Sequence, residues 1–255
     1  MSTPRGSLVL IPNTLDFGIA GEAPAIGDVL GASVIRNAAA LTHWVAENAK
    51  TTRAFLKRVD AVVALAQPLQ LLSIVELPRA NKGARGAPLA DLTPLLSPAL
   101  DGHDIGLISE AGLPAVADPG AALVQAAHQV GIRVVALPGP SALLLALAAS
   151  GLNGQSFAFV GYLPVEAAAR SARIRELEAL SRRTAQTQLM IETPYRNEAL
   201  LSALLAHLQA TTRVSVSCGL TLPTAFTRTD SVRGWTHRPS ALPADVPAVF
   251  SLLAG

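Results

Sequence analysis

Residues 107–120 have the types and the spacing of a ligand-binding loop. An apolar run at 104–108 predicts a buried strand, and small residues, two prolines and two glycines follow it before a helical pattern begins at Ala121. Open α/β sheets bind their ligands at such strand ends. A second turn of this kind occurs at 133–142, where an apolar run leads through Pro-Gly-Pro-Ser-Ala into a Leu/Ala-rich helix. Two small-residue turns in succession predict a pocket for one small molecule.

The loop does not follow the glycine patterns that bind phosphate. It lacks Gly-x-Gly-x-x-Gly, and no Gly-Lys-Ser/Thr follows it. Pro114 and Pro119 have no N–H groups to donate to a phosphate. A nucleoside or an amino-acid ligand, held by loop carbonyls and apolar contacts, fits better than a dinucleotide. A tight crossover that binds no ligand is the alternative at this point.

The elements that hold these loops can be predicted from the sequence. Short apolar runs alternate with longer helical patterns, as is typical of α/β proteins. In the first half, strands are predicted at 8–11, 42–45, 71–75, 104–108 and 134–137. Helices are predicted between them at 25–40, 51–59, 92–100 and 121–130. We therefore expect a doubly wound, mostly parallel sheet of about five strands, buried on both faces.

The second half has a different pattern. After a helix at 141–150, strands are predicted near 157–160, 188–191, 214–218, 226–231 and 249–253, with long helices at 166–182 and 197–208. The short polar connections between the last strands predict antiparallel pairing, hence a mixed sheet. The Ala/Leu run at 142–149 is expected to be a buried helix between domains. We expect an N-terminal α/β domain at 1–138 and a C-terminal α/β domain at 139–255.

The composition limits the classes of function. The 255 residues have a net charge of only +2, which does not require a nucleic-acid binder. Only 4% of them are aromatic, which argues against a surface that stacks on the bases of single strands. The longest apolar run, 142–149, is far shorter than the ~20 residues of a membrane span. The first six residues lack a signal-peptide pattern, and the single Cys218 excludes an internal disulfide. We expect a cytoplasmic protein without membrane association.

Other chemistries have little support in the sequence. The five histidines show no metal-ligand spacing, so no metal site is predicted. The turn at Ser141 lacks the Gly-x-Ser-x-Gly pattern of a hydrolase. Segment 76–90 has almost no apolar residues and is predicted to be a mobile surface loop. Its three cations could meet an anionic substrate or simply be solvated.

Five short motifs follow one another between residues 108 and 196. The first is Ile-Ser-Glu-Ala-Gly-Leu-Pro-Ala-Val-Ala-Asp-Pro-Gly at 108–120. The others are Leu-Pro-Gly-Pro-Ser-Ala at 137–142, Ser-Gly-Leu at 150–152, Phe-Val-Gly-Tyr-Leu-Pro at 159–164 and Ile-Glu-Thr-Pro-Tyr-Arg at 191–196. In this order they resemble the motifs of the tetrapyrrole methylase superfamily, and most of all its ribosomal RNA small-subunit methyltransferase I branch.

The resemblance implies two α/β domains with S-adenosylmethionine bound in the cleft between them, in a homodimer. Cofactor contacts in this family come largely from backbone and small residues. Matched motif by motif, the cofactor-binding residues here are Pro12, Gly112, Leu113, Pro114, Val116, Ser141, Ala142 and Thr193. Small residues at these positions agree with a close approach of the backbone to a ligand.

The chain departs from the branch on the side expected to face the substrate. The branch's Thr-Pro-Ile-Gly-Asn-Leu-Gly-Asp is Ile-Pro-Asn-Thr-Leu-Asp-Phe-Gly at 11–18, and its Ala-Ala-Glu-Asp-Thr-Arg corresponds to Val-Ala-Glu-Asn-Ala-Lys-Thr-Thr-Arg at 45–53. Glu110 stands where the branch has Asp. We interpret the chain as a divergent relative, such as a paralogue, that retains the cofactor wall.

Methyl transfer needs an in-line nucleophile and a dry, oriented site more than strong acid–base groups. If the acceptor is a ribose hydroxyl, a base must take its proton. Glu47, Glu110 and Glu192 at predicted strand ends are the catalytic candidates, and Arg53 and Arg196 could hold a phosphate or carboxylate. For each of these residues an ordinary surface or capping role is the alternative.

The leading hypothesis is an S-adenosylmethionine-dependent methyltransferase that methylates ribose 2′-oxygens of small-subunit ribosomal RNA. Its partners would be ribosomal RNA or the small-subunit particle and a second copy of the chain. Two alternatives stay open. One is methylation of a tetrapyrrole or another small molecule, and the other is a module that binds the cofactor without catalysis.

Overall fold

A computed structural model describes residues 4–16, 23–78 and 91–255 of the chain. These residues form two compact units, which divide between Pro140 and Ser141. From residue 79 onward, the predicted loop at 76–90 lies outside the described residues. In the described ranges, no helix combines the length and the apolar character needed to cross a membrane.

The first unit is built on a parallel five-stranded sheet. Its strands are β1 (Ser7–Leu10), β2 (His43–Ala46), β3 (Ser73–Glu76), β4 (Ile105–Ile108) and β5 (Arg133–Ala136). They lie in the order β3-β2-β4-β1-β5, and every neighbouring pair is parallel. The order reverses between β4 and β1, as in doubly wound sheets. The predicted architecture of this half is therefore confirmed.

Alternation along the strands gives this sheet two apolar faces. Trp44 and Ile108 belong to one buried cluster, whereas their chain neighbours Val45 and Leu107 belong to the other. Side chains of successive strand residues point to opposite faces, so both faces need a cover of helices. The inner strand β4 is buried at every position, but the edge strand β3 is mostly exposed. Burial on both faces is thus confirmed for the inner strands only.

The helices of the first unit are α1 (Ile26–Val29), α2 (Ala32–Ala40), α3 (Ala49–Asp60), α4 (Ser97–Leu100) and α5 (Ala121–Gln129). The prediction of a single helix at 25–40 was wrong. The chain is extended at Leu30 and Gly31, which separate α1 from α2. The helix predicted at 92–100 starts as a 3-10 turn, Thr93–Leu96, before α4. Prolines at 94 and 98 occupy the first turns of these two segments, where a missing N–H is tolerated.

The second unit is built on a mixed five-stranded sheet, as predicted. Its strands are β6 (Phe157–Tyr162), β7 (Thr187–Glu192), β8 (Arg213–Cys218), β9 (Phe226–Ser231) and β10 (Ala248–Leu253). They lie in the order β6-β7-β10-β8-β9. Only β6 and β7 pair in parallel, and the other neighbours are antiparallel.

The helices of the second unit are α6 (Ala142–Ser150), α7 (Ala167–Thr184), α8 (Asn197–His207) and α9 (Val232–His237). Helix α9 was not predicted, since its Val, Thr and Trp residues favour strands; Ser231 caps it by accepting the Gly234 N–H at 3.1 Å. The expectation that α6 is buried was wrong for one face. Ala146 and Leu147 are buried, but Leu144 and Leu145 are 52% and 38% exposed.

Candidate functional site

Polar side chains collect at the carboxyl edge of the first sheet. Because β3, β2, β4 and β1 lie side by side and parallel, their carboxyl ends form one row. Glu76 ends β3, Glu47 follows β2, Glu110 follows β4 and Asn13 follows β1. Residues more than sixty positions apart in the chain are thereby brought together at the edge where parallel sheets bind ligands.

Asn13 joins the loop after β1 to the loop after β4. Its backbone N–H donates to the Gly112 carbonyl at 2.8 Å, and its side-chain amide donates to the carbonyls of Ser109 and Glu110 at 3.1 and 3.0 Å. Asn13 is itself buried. The contacts fix the predicted ligand loop to the neighbouring strand end. Sequence reasoning did not select Asn13, although it directly follows a predicted strand.

The loop backbone requires small residues. Gly112 has φ of +65°, and a Cβ there would lie 3.3 Å from the Leu15 side chain. Ala115 and Ala117 also have positive φ, 67° and 64°. This region costs a non-glycine residue on the order of 1 kcal/mol or more. Strain that persists at two neighbouring alanines is typical of loops held in place for a ligand.

The other predicted cofactor-binding residues of the first unit border this loop. Pro12 is buried, and a side chain at Gly139 would overlap the Pro12 ring, so the turn after β5 packs directly on the loop after β1. Pro114 is buried, Leu113 is half-buried and Val116 is 45% exposed. Pro12, Gly112 and the residues after it therefore occupy one region of the first unit.

Three carboxylates of the first unit, Glu47, Glu110 and Asp118, lie close to one another. The Glu47 carboxylate accepts the Glu110 backbone N–H at 3.0 Å, and the Thr51 hydroxyl donates to the Glu110 side chain at 3.4 Å. We call Glu47, Glu110 and Asp118 the first-unit carboxylates. Within residues 4–16, 23–78 and 91–255, none of them forms an ion pair with lysine or arginine.

Burial and nearby like charges raise the pKa of two carboxyl groups in this cluster, Glu110 and Asp118. Burial, followed by the Glu47 charge, raises the pKa of Glu110 above its ordinary value. Burial, followed by the charges of Glu47 and Glu110, raises the pKa of Asp118 to about 7. A carboxyl group with a pKa near neutrality can take or give a proton under ordinary conditions. Sequence reasoning missed Asp118, although it lies inside the Asp-Pro-Gly end of the first motif.

Glu192, the third catalytic candidate, lies at the end of β7 in the second unit. Its carboxylate accepts the Thr193 N–H at 2.9 Å and the Thr193 hydroxyl at 3.2 Å, and Arg196 lies 3.1 Å from it. The Glu192 side chain is buried, and Arg196 covers it. Three donors occupy this group, so it positions Thr193 and Arg196 in the folded chain.

The remaining predicted residues begin the second unit. Ser141 is the buried N-cap of α6, and its carbonyl accepts the Leu145 N–H at 3.0 Å. Ala142 is half-buried and packs against the cluster that contains Leu189 and Val249. Exposed Tyr195 follows Thr193 and Pro194 in a 3-10 turn. These residues surround the start of α6 and the end of β7.

Relatives of known name are similar to part of this chain. "Ribosomal RNA small subunit methyltransferase I" of Mesorhizobium japonicum is 39% identical over 146 residues, which are 57% of this chain and 48% of that protein. The protein of the same name from Halalkalibacterium halodurans is 32% identical over 160 residues, 63% of this chain and 49% of that protein. The chain thus matches about half the length of each.

The fold and a family model agree with these relatives. The crystal structure of the methyltransferase CobJ has a TM-score of 0.52 and 16% identity, with coverage of 98% of this chain and 95% of that chain. This likeness concerns the fold alone. The family model of the tetrapyrrole (corrin/porphyrin) methylases matches residues 49–233, which is more than half of the chain. The chain therefore belongs to the tetrapyrrole (corrin/porphyrin) methylase family.

Proposed function

We propose that this chain is an S-adenosylmethionine-dependent methyltransferase that binds its cofactor at the carboxyl edge of the first sheet. The observation that carries the proposal is the loop at 109–120, which Asn13 fixes to the β1 end and in which Ala115 and Ala117 keep positive φ. A ligand bound at this loop would contact mostly main-chain atoms, because most side chains of the loop are small. This is the contact type expected for the cofactor in this family.

The charges at this edge fit S-adenosylmethionine better than a nucleotide phosphate. The cofactor carries a sulfonium and an ammonium cation, and the first-unit carboxylates offer negative charge without a paired cation in the described ranges. A phosphate would meet repulsion there. Pro12, Gly112, Leu113, Pro114 and Val116 would hold the cofactor, and the resemblance assigns Ser141, Ala142 and Thr193 to the same task.

When bound, S-adenosylmethionine supplies an electrophilic methyl group. The chain must orient the acceptor oxygen, exclude water and take the acceptor's proton. We assign Glu110 as the base that takes the proton of the acceptor hydroxyl; its pKa is raised by burial and by the Glu47 charge. Glu47 acts as a positioning residue because it holds the Glu110 backbone N–H. Glu192, occupied by three donors, orients Thr193.

Small-subunit ribosomal RNA is the acceptor we propose, with a ribose 2′-hydroxyl as the first choice. The names of the relatives support the RNA, and the need for a base supports a hydroxyl. A cytoplasmic location follows from such a substrate. A tetrapyrrole acceptor is the competing choice, since a fold neighbour is titled uroporphyrin-III-C-methyltransferase.

A homodimer is the proposed assembly, and an apolar face of the second sheet supports it. Leu144 and Leu145 of α6 are exposed, as are Phe157 and Phe159 of β6. Phe159 pairs in register with Leu189, which packs under α6, so these side chains share one face. Exposed apolar side chains on one face of a sheet are typical of contact sites between chains. Sedimentation of the purified chain as a monomer would contradict the assembly.

Calorimetry with S-adenosylhomocysteine tests the cofactor site. The wild type should bind, and Ala142→Trp should abolish binding because the indole would fill the space beside the first turn of α6. Ala148→Trp, at an exposed position of the same helix, is the matched control and should bind like the wild type. Unchanged affinity of a folded Ala142→Trp would show that the site lies elsewhere.

Mass spectrometry of ribosomal RNA from a strain that lacks the gene tests the acceptor. One ribose methylation of small-subunit RNA should disappear and should return when the purified chain and S-adenosylmethionine are added. Methyl transfer to a uroporphyrinogen but not to RNA would favour the tetrapyrrole acceptor. Cofactor binding without transfer to either would favour a module that only binds.

A further inference from the structure

Four arginines lie at one end of the second sheet. Arg213 begins β8 and pairs with Leu253 at the end of β10 and with Ser231 at the end of β9. Arg182, near the end of α7, donates from Nε to the Gly255 carbonyl at 3.2 Å. The remaining two are Arg183, its neighbour, and Arg233, in the first turn of α9. We call Arg182, Arg183, Arg213 and Arg233 the basic rim.

The basic rim is exposed and poorly neutralised. All four side chains belong to exposed residues. Only Arg182 has a carboxylate within ion-pair distance, the buried Glu178 at 3.9 Å; the other three form no ion pair in the part of the chain that the structure describes. The nearby Asp230 is already paired with Arg228 and Arg238. This end of the second sheet therefore exposes positive charge to solvent.

Stability of the fold accounts for only two of the four arginines of the basic rim. Arginine in the last turn of α7 suits the negative end of the helix dipole, which explains Arg182 and Arg183. The same dipole disfavours Arg233, because a cation in the first turn of α9 meets the positive end. Arg213 lies at a strand start, where no helix dipole acts. Among the described residues, neither Arg213 nor Arg233 has a carboxylate within ion-pair distance.

The opposite end of the same sheet has a different balance. There Glu192 is paired with Arg196, and Glu198 accepts the Leu242 backbone N–H. Residues 141–255 contain ten arginines, seven carboxylates and no lysine. Arginine forms paired hydrogen bonds with phosphate that lysine cannot form. Four of these arginines lie where three separate segments, α7, β8 and α9, meet.

We propose that the basic rim binds backbone phosphates of the RNA substrate. The identity of this polyanion rests on the proposed function. Strands of six residues span about 20 Å, so the rim lies about that far from Glu192 at the other end of β7. Phosphate contacts add affinity and register without reading sequence. The rim is therefore an anchoring surface and contains no catalytic residue.

The test compares two triple variants that remove the same charge. The rim variant changes Arg183, Arg213 and Arg233 to Gln, and the control changes the exposed Arg36, Arg133 and Arg175 to Gln. Anisotropy of a labelled single-stranded RNA gives the affinity between about 50 and 200 mM salt. The slope of log K against log salt should fall by about 2 in the rim variant, since each lost phosphate contact contributes about 0.7. The control should keep the wild-type slope.

Lysine substitutions at the same three rim positions separate charge from structure, and should retain most of the slope. With small-subunit RNA as acceptor, the rim variant should raise KM on the order of tenfold and leave kcat and the affinity for S-adenosylhomocysteine unchanged. Equal slopes in the rim and control variants would overturn the proposal, as would tighter binding of the wild type to polyglutamate than to RNA. If the wild type binds RNA through the rim but not S-adenosylhomocysteine, only the proposed function fails.

Discussion

The three first-unit carboxylates and the single carboxylate of Glu192 in the second unit show how differently the same chemical group can be held. The first-unit carboxylates surround one another without a paired cation in the described ranges, and the pKa of Asp118 rises to about 7. Glu192 at the end of β7 is enclosed by Thr193 and by Arg196 at 3.1 Å. One group is suited to proton exchange and cation binding, whereas the other is suited to holding its neighbours in place.

The difference comes from how each group is assembled. Arg196 lies four residues after Glu192, so a short local segment brings the cation. Glu47 and Glu110 are 63 residues apart in the chain and meet only because β2 and β4 pair in parallel. Like charges brought together by a sheet cost folding free energy. We infer that the protein retains these unfavourable contacts because the carboxylates act on a bound ligand.

Glu110→Gln should have the largest effect on activity. Without such an effect, the contrast between the first-unit carboxylates and Glu192 would not hold. The amide keeps the shape and the backbone contact with Glu47 but cannot take a proton. Methyl transfer to small-subunit RNA should fall by at least about 100-fold, the usual contribution of a general base. Calorimetry should find S-adenosylhomocysteine affinity within a few-fold of the wild type. Full transfer activity in Glu110→Gln would remove Glu110 from the reaction.

Glu192→Gln should act on stability more than on chemistry. Removal of the charge leaves Arg196 half-buried and without its partner, which should lower the free energy of unfolding by about 2–3 kcal/mol. Urea unfolding measures this change. The double variant Glu192→Gln, Arg196→Met is the control, and should recover a large part of the loss because no charge is left unpaired. A single variant as stable as the wild type would mean that the pair contributes nothing.

The strands could be predicted because their signal is local. Apolar runs at 104–108 and 188–191 became β4 and β7 within one residue at each end. Errors occurred where tertiary contacts or single residues override the pattern. Gly31 ends one helical pattern and begins another, and α9 depends on a cap from Ser231. Neither event is visible in hydrophobic periodicity.

The site was predictable in part for the same reason. The small residues of 109–120 indicated a ligand loop, and Gly112 has the positive φ that such a loop requires. Asp118 was missed because its raised pKa depends on burial and on Glu47 and Glu110, which come from other segments. Glu192 was selected by its position at a strand end; its partners Thr193 and Arg196 follow within four residues, but the sequence analysis did not identify the pairing. Spacing identifies a loop, whereas charge environment needs the fold.

Asp118→Asn should give the smallest effect, with a sign opposite to that of Glu192→Gln. The folded chain holds the Asp118 proton up to about pH 7, whereas an unfolded chain releases it near pH 4. The folded state therefore binds more protons between these values, and wild-type stability falls as pH rises through this window. Urea unfolding should show Asp118→Asn more stable than the wild type by on the order of 1–2 kcal/mol near pH 8, and equal to it near pH 4.

The exposed Asp101→Asn controls for loss of a surface charge. A pH-independent difference for Asp118→Asn would mean that the first-unit carboxylates do not interact, and the contrast with Glu192 would then lose its electrostatic basis.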